Sequence, residues 1–233
     1  MILFILIMLI TGGLALLTQT YVKSMFHRYH QVESSTGYRG AEVAAEILRR
    51  NGITDVSIHE HQGFLGDHYD PLHKRLVLSP DVYHGSSLSA LGVAAHEAGH
   101  ALQHQQAYLP LHIRMLAVGV TNFASQLVTW IPILGMAGQV ISTQLGLILM
   151  SVGWGIIVLF NLVTLPVEYD ASARAKQMLA RLGFVRTQEE AAGVSAVLNA
   201  AALTYLAAFI SSLLWALYHI LPLLLRNQRS RDE

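Results

Sequence analysis

The sequence predicts a mostly α-helical membrane protein in which about four transmembrane helices carry a small α+β domain. Three observations lead there. From Met115 to Leu165 the chain holds no Asp, Glu, Lys, Arg or His, which is room for two spans of about twenty residues each. Two more apolar segments stand near the ends, Met1 to about Leu17 and Ala200 to Leu225. The polar stretches between them alternate helix-like and strand-like patterning, as a small mixed domain would.

The expected order follows the composition. Residues 1–21 form an N-terminal anchor: no Lys or Arg precedes the apolar core and no small-residue cleavage pattern follows it, so it does not read as a removable signal. Residues 22–114 form the polar domain, 115–166 a transmembrane hairpin turning near Gly135–Gln139, 167–199 a helical segment, 200–225 a C-terminal span and 226–233 a basic tail. Within the polar domain, Ser34-Ser35-Thr36 caps an amphipathic helix over Ala41–Leu48 that stops at Asn51-Gly52. Ile53–His59 and Lys74–Ser79 are strand candidates, and Gly63, Gly66 and Asp70-Pro71 mark turns between them.

Charge and cysteine content narrow the function classes. The chain has no cysteine, so disulfides and thiolate metal sites are excluded. A formal net charge of zero argues against a nucleic-acid footprint. Lysines and arginines gather between the first and second spans (Lys23 to Arg114) and between the third and fourth (Arg174 to Arg186). That bias puts both groups on the cytoplasmic side. Arg226, Arg229 and Arg231 then fall outside, against the rule, unless the last apolar segment re-enters.

His96-Glu97-Ala98-Gly99-His100 carries the chemistry. It lies in a helix expected to start at Ser86-Ser87 and to run through about Gln105, amid small and apolar residues. Two histidines four apart share one helix face, so both imidazoles can reach one metal ion. Zinc suits such a pair and keeps a fourth position open for water. Glu97 is then placed to take a proton from that water. A buried His-Glu-His trio without a metal would leave costly unsatisfied polar groups. Nine of the twelve histidines lie between His59 and His112, yet His104 sits ~12 Å along the axis from His96 and cannot close on the same ion. A metzincin's third histidine would fall on Gln106.

The third ligand must then be His, Asp or Glu. Glu168 is expected to fill that place from the first turn of a new helix beginning at Leu165-Pro166. A carboxylate favoured only by the helix dipole is the plain alternative. Asp170 faces elsewhere on that helix and reads as a supporting carboxylate or an arginine's partner.

His96–His100, Asp67-His68-Tyr69-Asp70-Pro71 and Leu165-Pro166-Val167-Glu168-Tyr169-Asp170-Ala171-Ser172 together resemble the signature blocks of the YugP-like membrane zinc metallopeptidases, as does Ala200–Tyr205. The resemblance covers nearly the whole chain, in order. It implies a bacterial membrane enzyme with one zinc ion per chain. A more distant similarity is to the HtpX and CAAX-prenyl endopeptidases, which are gluzincins. Their Glu-x-x-Ala-Asp pattern implies Glu168 as third ligand but puts Ser172 where the supporting Asp should stand. Asp170, Asp67 or Asp70 is then the candidate replacement, and Asp67–Asp70, His68 included, is implied to lie beside the substrate cleft.

The expected function is peptide-bond hydrolysis in peptides or membrane proteins near the cytoplasmic surface of a multi-pass bacterial membrane protein. Its partners are that substrate and the lipid bilayer, with no nucleic acid; nothing fixes an oligomeric state. Tyr205 is a candidate donor to the oxyanion, though a tyrosine at a membrane interface needs no such role. The alternative is a catalytically silent membrane adaptor with a structural metal site.

Overall fold

The computed structural model describes residues 1–62, 66–138 and 142–229. In chain order its elements are α1 (Ile2–His30), α2 (Gly40–Arg50), β1 (Ser57–Glu60), β2 (His68–Asp70), β3 (Arg75–Leu78), α3 (Pro80–Tyr83), α4 (Leu88–Gln105), α5 (Leu109–Gly138), α6 (Thr143–Arg181) and α7 (Gln188–Arg229). Helices α1, α5, α6 and α7 are each long and apolar enough to cross a bilayer. The chain is therefore a helical membrane protein with a small α+β part, the fold class expected from its composition.

The chain divides into two compact units, Met1–Leu17 with Ile113–Leu165 and Tyr205–Glu233, and Thr18–His112 with Pro166–Thr204. The first is built from the apolar stretches of the four long helices. Leu9, Leu116, Phe123, Leu159 and Leu221 are all more than half exposed, a surface suited to lipid rather than water. Inside this unit, Asn161 Nδ2 donates to Ala208 O at 3.2 Å and to Ser212 Oγ at 3.0 Å, tying α6 to α7. Such interhelical bonds and small-residue contacts hold spans together where lipid is as apolar as the helices.

Helix α6 has 39 residues and is therefore about 58 Å long at ~1.5 Å per residue, nearly twice the ~30 Å hydrocarbon thickness. Its charge-free part ends at Leu165, so the charged stretch from Glu168 onward lies beyond the membrane-spanning segment. The 42-residue α7 carries its polar start, around Glu189 and Glu190, beyond its span for the same reason.

The second unit packs α2, the sheet, α3 and α4 around Phe26, Ile47, Leu48, Leu76, Leu78, Leu91 and Leu102, closed by Leu179 of α6 and Val194 and Leu198 of α7. The sheet has the order β1-β3-β2. β1 runs parallel to β3, with Ser57 opposite Arg75 and Glu60 opposite Leu78. β2 runs antiparallel to β3, with Asp70 opposite Arg75 and His68 opposite Val77. Alternation on β3 buries Leu76 and Leu78, the period-two pattern of a half-buried strand.

Several expectations need correction. No new helix begins at Leu165-Pro166. α6 runs through Pro166 because Val167, Ala171, Ala175 and Leu179 continue one buried stripe at helical spacing, and that packing overrides the missing amide proton. α7 is unbroken from Gln188 to Arg229, so the last apolar segment does not turn back. α5 continues through Gly135 to Gly138; Gln139, the end of the expected turn, lies outside the described residues. α2 is capped by Arg39, whose amide donates to Glu42 Oε2 at 2.8 Å, and not by Ser34–Thr36. Its end at Asn51, with Gly52 at φ +70°, is as expected. β1 starts later than Ile53, and β2 was hidden because His-Tyr-Asp has no apolar alternation.

Glu190 ties this unit together. With Thr187 it forms a reciprocal cap on α7: Thr187 Oγ1 accepts from Glu190 N at 3.1 Å and Glu190 Oε2 from Thr187 N at 3.2 Å. Its carboxylate also accepts from Arg186 N at 2.7 Å and Ser35 N at 2.8 Å. The Arg186 amide, against an opposing effect of burial and with help from Ser35 and Thr187, lowers its pKa from 4.5 to about 2. A depressed carboxylate contributes stability above its unfolded pKa and loses it as the pH falls through the folded one. We expect Glu190→Gln to cost about 2 kcal/mol at neutral pH. In thermal melts of the detergent-solubilised protein, the wild-type advantage should shrink between pH 4.5 and 2.

Candidate metal centre

Helix α4 is opened by Ser87, whose Oγ accepts from Ala90 N at 3.3 Å. Small residues then let it sink into the domain: Ala90, Ala94, Ala95, Ala98 and Ala101 are all buried. The four-residue spacing stacks His96 and His100 one turn apart, with ring centroids 4.7 Å from each other. Glu168 reaches them from the interior of α6. Its Oε2 lies 3.3 Å from His96 Nε2 and 3.6 Å from His100 Nε2, and the carboxylate is almost fully buried. With no helix terminus nearby, a dipole-stabilised carboxylate does not describe Glu168.

These separations suit zinc. Tetrahedral bonds of about 2.0–2.2 Å put neighbouring ligand atoms about 3.3–3.6 Å apart. The three donor atoms all lie within 4.8 Å of one another, and among the described residues no other such trio occurs. Two imidazoles and one carboxylate also match the donor set of zinc sites that keep one position for water. Burial pushes the Glu168 carboxyl up, but His100 and His96 outweigh it and hold it well below the ordinary range. Burial pulls His100 down, while the facing Glu168 carboxylate, with Glu97 and Gln103, carries it above its ordinary value.

Each histidine has a partner on its far nitrogen. His100 Nδ1 lies 3.0 Å from Gln103 Oε1, and His96 Nδ1 lies 3.1 Å from Ser172 Oγ. Gln103 Nε2 donates to Val167 O at 2.7 Å and to Asp170 Oδ2 at 2.8 Å. Asp170 also accepts from Arg174 Nε at 2.5 Å. Asp170 thus accepts from both Gln103 and Arg174. Ser172 itself meets His96 where the gluzincin pattern has Asp. Gln103 was not singled out from the sequence, although it stands three residues past His100 as a polar side chain in a helix of small ones.

The other candidates are placed as follows. Glu97 is buried on α4 beside His96. Asp67 accepts from Ser79 N at 2.7 Å and from Ser79 Oγ at 3.0 Å. Burial raises its pKa, opposed by those bonds and reinforced by the charge of Glu97, so Asp67 belongs to the same electrostatic neighbourhood. Asp70 serves the β2–β3 turn, accepting from Leu72 N, His73 N and Arg75 Nη2. His68 is exposed, with Nδ1 2.8 Å from Gly66 O. Neither Asp67 nor Asp70 supplies the carboxylate missing behind His96. Tyr205 falls in the other compact unit. His59, His73, His84 and His104 pair with Ser57, Asp70, Glu60 and Tyr69 respectively.

Comparison with known proteins points to zinc as well. Residues 1–224 match the family described as "Putative neutral zinc metallopeptidase". The chain is 44% identical over 235 residues, covering 99% of each sequence, to a Bacillus subtilis (strain 168) protein named "Putative membrane protease YugP". No solved structure matches the chain. A full-length family match, close identity to a membrane protease homologue and a buried His-His-Glu cluster converge: the chain belongs to the neutral zinc metallopeptidase family.

Proposed function

We propose that the protein is a zinc metalloendopeptidase of gluzincin type that cuts peptides or membrane proteins at the cytoplasmic face of a bacterial membrane. The convergence of His96, His100 and Glu168, with Glu97 on the same helix, carries this reading. The two imidazoles and the Glu168 carboxylate would hold one zinc ion. Bound there, zinc would act as a Lewis acid on the scissile carbonyl and make a neighbouring water more acidic. Glu97 would accept that water's proton and deliver it to the leaving amine. β2 pairs on one side with β3 and packs against α4. Its other edge can align an extended substrate strand, the usual recognition mode for a peptide beside a sheet. Residues 22–114 and 167–199 would form the catalytic part and the remaining apolar segments its anchor.

Two experiments test this. Purified Glu97→Gln should retain one zinc per chain yet lose at least 100-fold in casein cleavage, whereas His100→Ala should lose the metal; elemental analysis beside a peptidase assay reads both. Zinc in both wild type and Glu97→Gln with cleavage by neither would favour the silent adaptor, in which the metal only stabilises. The cysteine-free chain also lends itself to labelling. Leu72, 82% exposed in the β2–β3 turn, when changed to Cys should react with an impermeant maleimide in inside-out vesicles and stay unlabelled in intact cells. The reverse pattern would put the site on the outer face.

A further inference from the structure

We infer that Gln103 is a positioning residue that fixes the tautomer of His100, an inference that rests on the metal-site reading above. Gln103 is completely buried, and its amide orientation follows from its neighbours. One face meets Val167 O at 2.7 Å and Asp170 Oδ2 at 2.8 Å. A backbone carbonyl and an arginine-paired carboxylate only accept, so the NH₂ group must face them. Turning the amide over would set its oxygen against both oxygens, losing two hydrogen bonds in a buried site. Gln103 Oε1 therefore faces His100 Nδ1, 3.0 Å away, and can only accept. With zinc bound, the proton of neutral His100 would be held on Nδ1, leaving the Nε2 lone pair for the ion that Glu168 would share.

The chain of contacts ends in a neutral pair, because Arg174 balances Asp170 and also donates from Nη1 to Gln106 Oε1 at 2.6 Å. His100 is thus oriented without a carboxylate on its ring, the partner that ligand histidines often have. His96 is treated differently. Ser172 Oγ, 3.1 Å from its Nδ1, can donate or accept and selects neither tautomer. The two ligands should therefore differ in their dependence on their partners.

Zinc dissociation constants of the full-length protein in detergent, measured against a chromophoric chelator, test the assignment. Gln103→Met should weaken zinc binding 10- to 100-fold and remove an exchange-protected His100 Nδ1–H signal from the imidazole ¹⁵N spectrum of the zinc-loaded protein. Ser172→Ala should weaken it less than about threefold. The melting temperature of each metal-free variant shows whether the change lies in the fold or in the site. Should Gln103→Met fail to fold, Asp170→Asn takes its place, with an expected weakening of about three- to tenfold. Unchanged affinity in the folded variant would overturn the role of Gln103 while leaving the metal site standing. Failure of wild type to bind zinc, or equally tight binding by His100→Ala, would overturn the site reading and this inference with it.

Discussion

The site depends on how closely α4 and α6 approach at Gly99 and Ala171. A Cβ on Gly99 would stand 2.7 Å from Ala171 O, a distance real side chains do not tolerate, so only glycine lets these backbones touch. The donors flank that contact symmetrically. His96 and His100 lie three before and one after Gly99; Glu168 and Ser172 lie three before and one after Ala171. On a helix those offsets share one face, so a single backbone contact delivers both imidazoles, the carboxylate and the hydroxyl to one point. A glycine inside a helix costs roughly 1 kcal/mol relative to alanine, small beside the penalty of forcing two packed helices apart.

That approach also governs the electrostatics. A carboxylate as buried as Glu168 is tolerable only with positive or hydrogen-bonding partners, and two imidazoles within 3.6 Å provide them. Removing one partner from such a cluster costs more than the cluster contributes as a whole, which ties a zinc-peptidase site to the integrity of its own fold. The partners behind the two histidines add little net charge: Gln103 and Ser172 are neutral, and Asp170 is balanced by Arg174.

Sequence alone revealed what is local. The four-residue spacing of His96 and His100 needs only helical geometry, and the Met115–Leu165 stretch needs only an absence of charge. Glu168 was reachable because few acidic residues follow Glu97, yet its setting was misread: Pro166 suggested a boundary, and the buried stripe Val167–Ala171–Ala175–Leu179 that carries the helix through it becomes decisive only once its neighbours are known. Glu190, equally acidic, instead serves backbone amides, those of the nearby Arg186 and of Ser35, distant in sequence. β2 escaped notice because its pairing partner, not its own side chains, makes it a strand. Gln103 was passed over because an uncharged side chain announces no chemistry until its amide is seen between Val167, Asp170 and His100.

Zinc K-edge X-ray absorption on the purified full-length protein addresses the central claim most directly, since it reads the coordination sphere without requiring a substrate. Convergence of α4 and α6 on one ion predicts two imidazole ligands, with oxygen ligands completing a sphere at about 2.0–2.2 Å. Zinc bound with fewer than two imidazoles, or a spectrum unchanged when Glu168 is replaced by Gln, would contradict it.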